Sequence, residues 1–196
     1  MKRIFDIVFS IFGIILISPI LLIIVVLIIN DSRGSAFYLQ KRVGKDNQDF
    51  KLIKFRTMSI GSDKKGLLTV GFKDSRITRA GGFLRKYKFD ELPQLFNVLR
   101  GEMSFVGPRP EVRKYVNLYN EDQKKVLSVK PGITDFASIK YSRENEILSK
   151  STNPEKTYIE IIMPDKLKIN LEYIEKTGIA IDIKIILRTI LKIFMG

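Results

Sequence analysis

The chain has 196 residues, with 34 Lys or Arg against 21 Asp or Glu and a formal charge of +13. That length supports one compact domain with a real core, and the charge favours anionic partners: lipid head groups, nucleic acid or phosphate-bearing substrates. The sequence contains no Cys and no His, which excludes disulfide scaffolding, thiolate chemistry, His general bases and the usual Zn²⁺ ligand sets. Carboxylates, Lys, Arg, hydroxyls, backbone groups and a hard cation such as Mg²⁺ are left to carry any catalysis.

Residues 7–29 carry no charge and are rich in Ile, Leu, Val and Phe. As a helix the run would be about 35 Å long, enough to cross a hydrocarbon core of about 30 Å. It is too long for the apolar core of a cleaved signal peptide. Two membrane readings follow, a single kinked span or a helix that enters and returns. Ser18-Pro19 lies mid-run, where Pro removes a helix hydrogen bond and Ser18 can re-satisfy the freed carbonyl. Lys2 and Arg3 precede the run, and Arg33, Lys41 and Arg42 follow it. This leaves no positive-inside asymmetry, as expected if both ends face the same side.

Residues 36–43 and 50–58 predict two strands joined by the turn Gly44-Lys45-Asp46-Asn47, a β-hairpin. Alternation places Lys54, Arg56 and Met58 on one face of the second strand. Residues 60–74 read as a loop. Residues 77–87 and 91–99 read as short helices, with Asp90 as N-cap and Pro93 in the first turn of the second. Residues 101–110 predict a loop broken by Gly107-Pro108 and Pro110. Residues 111–126 suggest a helix, 130–132 a turn and 136–141 a short strand. Asn153-Pro154 opens another helical stretch, interrupted at Met163-Pro164. Across residues 179–195, Lys184, Arg188 and Lys192 recur at i, i+4 and i+8 among Ile, Leu, Phe and Met. That pattern predicts an amphipathic helix, lying in a membrane interface or packed on a core.

Two constellations could carry chemistry. A carboxylate at a helix start, close in sequence to Arg85, Lys86 and Lys88, would stay ionised; Asp90 would then serve as a nucleophile or Mg²⁺ ligand, while Glu91 points elsewhere. The simpler reading is that Asp90 and Glu91 only favour a helix start. In Ser104-Phe105-Val106-Gly107-Pro108-Arg109-Pro110-Glu111, two prolines fix the backbone around Arg109. The Arg can fork onto a phosphate, or pair with a local acid such as Glu111. Neither a Walker A nor a GxGxxG pattern is present.

In order and spacing, the Ser18-Pro19 break, Lys54-Phe55-Arg56-Thr57-Met58, Arg85 five residues before Asp90-Glu91-Leu92-Pro93-Gln94-Leu95-Phe96-Asn97-Val98-Leu99, Gly101 to Pro110, Lys130-Pro131-Gly132-Ile133-Thr134 and the amphipathic end resemble the bacterial sugar transferase family. The closest likeness is to its small monotopic phosphoglycosyl transferases. The resemblance covers nearly the whole chain. It implies an α+β, mainly helical fold: a re-entrant helix-break-helix anchor over residues 1–32, then a catalytic domain over residues 33–196 with a small β-hairpin, short helices and a C-terminal interfacial helix. It implies that the domain rests on the cytoplasmic face of the bacterial inner membrane. It also implies that Asp90 attacks a UDP-sugar, releasing UMP and forming a phosphosugar–aspartyl intermediate that polyprenol (undecaprenyl) phosphate resolves. Glu91 is the dyad partner, and Mg²⁺ lies beside the nucleophile, with Asp90 as its protein ligand. Arg85, Pro108, Arg109, Pro110, Lys54 and Arg56 fall at donor-binding positions.

The implied partners are the UDP-sugar, the polyprenol phosphate and membrane lipids, not nucleic acid; a homodimer stays open. The chain departs from the family after Thr134. The family commonly has Gly, then Leu or Trp, then Ala-Gln, whereas here the text is Asp135-Phe136-Ala137-Ser138-Ile139. That change bears on sugar preference and on the backbone turn at 135. Two other classes remain to be weighed: a membrane-anchored basic nucleic-acid-binding protein, and a single-pass structural protein in which Asp90 merely caps a helix.

Overall fold

A computed structural model describes residues 2–62 and 74–195. Most of the loop expected over residues 60–74 lies outside the described residues. The chain starts with a helix, α1 (Lys2–Asp31), that runs unbroken across Pro19. Pro19 has no N–H to give the carbonyl of Ile15, four residues back, and the Ser18 hydroxyl donates to that oxygen at 2.8 Å. The expected helix-break-helix is therefore one continuous helix in its hydrogen bonding, with a side chain repairing the gap.

Both ends of α1 meet the same domain. At the start, Asp6 Oδ1 accepts from the Ser104 hydroxyl at 3.0 Å and the Phe105 N–H at 3.1 Å. Arg3 donates to the carbonyls of Val98 (2.6 Å) and Leu99 (2.8 Å). At the far end, Ile24 and Ile28 are buried against Ala36, Phe55 and Leu84, and Asp31 accepts from the Ala80 N–H at 3.0 Å. Most of the intervening Ile, Leu, Val and Phe side chains are exposed.

The expected hairpin is present. Strands β1 (Phe37–Val43) and β2 (Asp49–Phe55) pair antiparallel, with Tyr38 opposite Lys54 and Arg42 opposite Phe50. The turn holds Asp46 and Asn47 at positive φ, a conformation these short polar residues tolerate. Helix α2 (Arg79–Lys86) starts where the Thr78 hydroxyl accepts from Gly81 N–H. Helix α3 (Gln94–Arg100) ends at Gly101, which adopts φ 87° as the left-handed cap. Between them, residues 89–91 form one 3₁₀ turn entered through Lys88 at φ 60°. Asp90 is consequently not the N-cap of a helix; Pro93 holds that place for α3.

The segment expected as a loop over 101–110 contains strand β3 (Ser104–Val106), paired parallel with β4 (Gly132–Thr134). Such a pairing joins residues far apart in sequence, and three-residue strands carry no readable alternation. Gly107 and Gly132 let the two backbones touch: a Cβ on Gly132 would lie 2.1 Å from Gly107 N. The helix expected over 111–126 is two short ones, α4 (Arg113–Val116) and α5 (Glu121–Lys124). Asn120 divides them through a capping box with Gln123.

The strand expected at 136–141 is a helix, α6 (Phe136–Lys140), because the Asp135 carboxylate caps it by accepting from Ser138 N–H at 2.6 Å. Asp135 has φ −158°, extended backbone that needs no Gly. Helices α7 (Glu144–Ser149) and α8 (Pro154–Thr157) follow, α8 capped by Asn153. Met163-Pro164 does not interrupt the stretch. Met163 N–H reaches back five residues to Tyr158 in a widened turn over Tyr158–Ile162, and helix α9 (Met163–Glu175) continues through Pro164.

The last helix, α10 (Ile179–Met195), buries Ile185 and Asp182 and exposes Ile183, Leu187 and Leu191. It is tied to the first helix: the Lys2 ammonium lies 2.8 Å from Asp182 and donates to Tyr173 OH (2.8 Å) and Val106 O (2.9 Å). The fold is thus mainly helical with a small antiparallel hairpin. Its largest core lies between β1, α4, α7, α9 and the turns Lys125–Ser128 and Tyr158–Ile162, around Val43, Tyr115, Val126, Leu148 and Leu167.

Candidate active site

A cleft of about 1600 Å³ opens between the hairpin, the 3₁₀ turn, the Gly107–Glu111 loop, α6, α9 and α10. The 3₁₀ turn delivers Asp90 and Glu91 to it in different directions. Glu91, only 13% exposed, receives both Arg109 Nη groups, Nη1 at 3.1 Å, and lies 3.5 Å from the Lys54 ammonium. Asp90 is 7% exposed, and its Oδ1 is buried without a hydrogen-bond partner among the described residues. A carboxylate that merely started a helix would spend its oxygens on backbone N–H groups. This one does not, and it lines the cleft.

Burial and the local charges together shift each group from its ordinary pKa. Burial pushes the Asp90 carboxyl above its ordinary pKa, the Glu91 charge adds to the effect, and Lys54, Lys88 and Arg85 oppose it. The expectation that a helix start and neighbouring cations would favour the ionised Asp90 is thus opposed by desolvation, which raises its pKa. Burial acts to raise Glu91 too, but the charges of Arg109 and Lys54 overwhelm it and hold Glu91 well below the usual carboxylate range. The Glu91 charge in turn raises Arg109 against the effect of burial. Burial lowers Lys54 to about 8, with Glu91 resisting and Arg109 and Arg42 adding to the fall.

Of the residues singled out in the sequence, Asp90, Glu91, Lys54, Arg85, Pro108, Arg109 and Pro110 meet around this cleft. Arg109 pairs with Glu91, eighteen residues away, rather than with the nearby Glu111. Arg56 also borders the cleft, but its guanidinium is engaged elsewhere. It donates to Ser35 O (2.6 Å), Ser32 Oγ (2.8 Å) and Ser32 O (2.8 Å), so it fastens the end of α1 to the hairpin. Ser18 and Pro19 lie on α1, outside the cleft lining.

Arg42 was missed by sequence reasoning. It donates to Pro110 O (3.0 Å) and Glu111 Oε1 (3.1 Å), and Tyr158 OH closes the group onto Glu111 Oε2. The signal was available. Two-residue alternation along β1, with Tyr38 opposite Lys54, puts Tyr38, Gln40 and Arg42 on the face that bears Lys54. Asn170 on α9 had no sequence signal at all.

For Mg²⁺ the fit is that of a shared site. The described residues contain no cluster of three or more acidic groups that could cage a metal, and Glu91 is committed to Arg109 and Lys54. Mg²⁺ commonly binds through one or two carboxylates, with waters and substrate phosphates completing the octahedron. Asp90, with one oxygen free of partners among the described residues, would be a protein ligand of that kind.

Residues 1–196 match the family model described as bacterial sugar transferase. The chain belongs to the bacterial sugar transferase family. It is 36% identical over 198 residues to the UDP-N-acetylgalactosamine-undecaprenyl-phosphate N-acetylgalactosaminephosphotransferase of Aeromonas hydrophila, covering all of this chain and 44% of that protein. It is 37% identical over 203 residues to the UDP-glucose:undecaprenyl-phosphate glucose-1-phosphate transferase of Klebsiella pneumoniae, covering all of this chain and 40% of that protein. The chain therefore spans less than half the length of these two relatives. Against the uncharacterized sugar transferase EpsL of Bacillus subtilis (strain 168), it is 34% identical over 196 residues, covering 88% of that protein. Of the segments of this bacterial sugar transferase chain singled out in its sequence, Lys54 to Met58, Arg85 to Glu91 and Pro108 to Pro110 contribute to the cleft, and Ser18-Pro19 does not.

Proposed function

We propose that the chain is a phosphoglycosyl transferase that moves a sugar-1-phosphate from a UDP-sugar to polyprenol (undecaprenyl) phosphate, the first membrane step of surface glycan or glycoconjugate assembly. The observation that carries this reading is Asp90, a buried residue that lines a cleft with Lys54, Arg85 and Arg109 and keeps one oxygen without a hydrogen-bond partner among the described residues. Asp90 Oδ1 attacks the β-phosphorus of the donor. The bond from that phosphorus to the oxygen bridging it to the α-phosphorus breaks, and UMP leaves with the electron pair. An oxygen of polyprenol phosphate then attacks the phosphorus of the aspartyl–phosphosugar, forming the diphosphate and returning Asp90 as a carboxylate. The acceptor is an anion already and needs no general base.

Lys54 and Arg109 stabilise charge on the transferring group, and Glu91, kept ionised, holds both cations in place rather than shuttling protons. When bound, Mg²⁺ neutralises donor phosphate charge. Pro108 and Pro110 fix the backbone that presents Arg109.

Membrane attachment over residues 1–32 supplies the lipid substrate to the domain at 33–196. A straight 30-residue helix is about 45 Å long, yet Arg3 and Asp6 near one end and Ile28 and Asp31 near the other contact one domain. This supports a monotopic, re-entrant arrangement on the cytoplasmic face, with α10 and its Lys184, Arg188 and Lys192 at the interface. A cysteine placed ahead of Met1 and another at Arg33 should label from the same side of sealed vesicles; labelling from opposite sides defeats this topology.

For the chemistry, the assay is UMP release from a UDP-sugar panel with Mg²⁺ and undecaprenyl phosphate. Asp90→Asn should abolish both UMP release and the sugar-phosphate adduct seen by mass spectrometry. An Asp90→Asn protein that releases UMP normally rejects the reading.

A further inference from the structure

The cleft extends past Arg109 to a wall that the proposed chemistry leaves without a task. Strands β3 and β4 lie side by side, and Gly107 N–H donates to Thr134 O at 3.1 Å. Arg109 and Asp135 therefore leave neighbouring strand ends, and the Asp135 carboxylate is among the charges that raise Arg109. Beyond Asp135, α6 packs on α9, and Ser138, Lys166 and Asn170 all line the cleft. Asn170 is 5% exposed, and its Oδ1 is buried with no hydrogen-bond partner among the described residues. A buried amide oxygen left unsatisfied costs stability, so its retention calls for a ligand donor.

The chemistry of the wall narrows that ligand. Phosphate is a poor fit, because the Lys166 ammonium is already paired with Glu144. A nucleobase is a poor fit too. The same ammonium lies 5.9 Å from the Tyr141 ring centroid and 5.5 Å from that of Tyr158, occupying the aromatic surface a base would stack on. What remains is one acceptor, the Asn170 amide oxygen, beside a phosphate-binding Arg, because both Asp135 oxygens already accept from Ser138. A group bonded to the transferring phosphorus and rich in O–H or N–H donors satisfies it.

We propose that Asn170 forms the sugar-selecting wall of the donor site, taking the sugar through a hydroxyl or acylamino hydrogen, while Asp135, engaged with Ser138, holds α6 beside it. The inference rests on the transferase reading and deepens it.

Asn170→Leu tests it, because Leu has a similar volume and removes an unsatisfied buried amide. This variant should melt no lower than the parent chain. In nanodiscs with undecaprenyl phosphate and Mg²⁺, across UDP-glucose, UDP-galactose, their N-acetylamino counterparts and UDP-glucuronate, its kcat/KM on the preferred donor should fall about 10- to 100-fold. Inhibition by UMP should change less than about twofold, since UMP lacks the sugar.

Unchanged donor ranking in Asn170→Leu overturns the proposal, as does a loss of UMP inhibition that parallels the loss of turnover, which would assign the wall to the nucleotide. A clear drop in melting temperature with uniform loss on every donor would make Asn170 a structural residue and also overturn it. If the parent chain releases UMP from no donor, the transferase reading itself has failed and takes this one with it.

Discussion

Replacing Glu91 with Gln separates its electrostatic role from its shape. The Glu91 carboxylate lies 3.5 Å from the Lys54 ammonium. At that distance, with an effective dielectric constant of about 20, the attraction is about 5 kcal/mol. Lys54 is buried, and even with this help its pKa is lowered to about 8. Gln keeps the volume and can accept from Arg109, but it removes the charge that holds the proton on Lys54. In Glu91→Gln the Lys54 ammonium should therefore lose its proton well inside the neutral range, and one of the two cations facing the donor phosphate disappears.

UMP release followed from pH 5.5 to 9.5 should show the parent chain falling off on the alkaline side near pH 8. The variant should fall off at least one pH unit earlier, with kcat/KM reduced about 100-fold at pH 7.5, the size of a lost charge-stabilising donor, and partly recovered toward pH 6. An alkaline limb that stays at the parent's position in Glu91→Gln refutes the coupling. Wild-type turnover at all pH values would reduce Glu91 to a residue that suits the turn.

Lys54→Arg should retain phosphate affinity while abolishing the alkaline limb near pH 8, because a guanidinium stays charged when buried; a limb that persists places the titration on another group. The sign for stability is opposite to that for activity. With its folded-state pKa depressed, Lys54 destabilises the fold below about pH 8, and denaturant midpoints should recover part of this between pH 8 and pH 10.5 in the parent chain but not in Lys54→Met. Gly132→Ala drives a Cβ to 2.1 Å from the Gly107 nitrogen and should cost about 1–3 kcal/mol, a melting temperature lower by several degrees; an unchanged melting curve would mean the two strands can separate freely. Chelation with EDTA should stop UMP release, and added Mg²⁺ should restore it. Turnover unaffected by chelation leaves Asp90 acting with Lys54 and Arg109 alone.

Some of this molecule is readable locally. The hairpin follows from alternation and a turn whose Asp-Asn pair accepts positive φ. The Ser18 hydroxyl repairing the gap left by Pro19 follows from four-residue helix spacing. The elements misread are short or set by distant partners. A three-residue strand such as Ser104–Val106 exists because Gly132–Thr134 arrives beside it. The 136–140 helix exists because Asp135 turns back to cap it, a choice that the β-like text Phe136 to Tyr141 conceals.

The same division holds at the site. The sequence by itself determined the chemistry available: no His or Cys, an apolar first helix, a run of cations before an Asp-Glu pair, and an Arg stiffened by two prolines. Residue types and short-range backbone rules are properties of neighbouring atoms. Only the tertiary structure decided the roles. It spent Arg56 on the carbonyls of Ser32 and Ser35, gave Arg109 to Glu91 instead of Glu111, brought Arg42 to the cleft rim, and left one oxygen of Asp90 and one of Asn170 without partners among the described residues. Which carboxylate is held ionised depends on the charges of Arg109 and Lys54, brought from 18 and 37 residues away, and that proximity is made by packing.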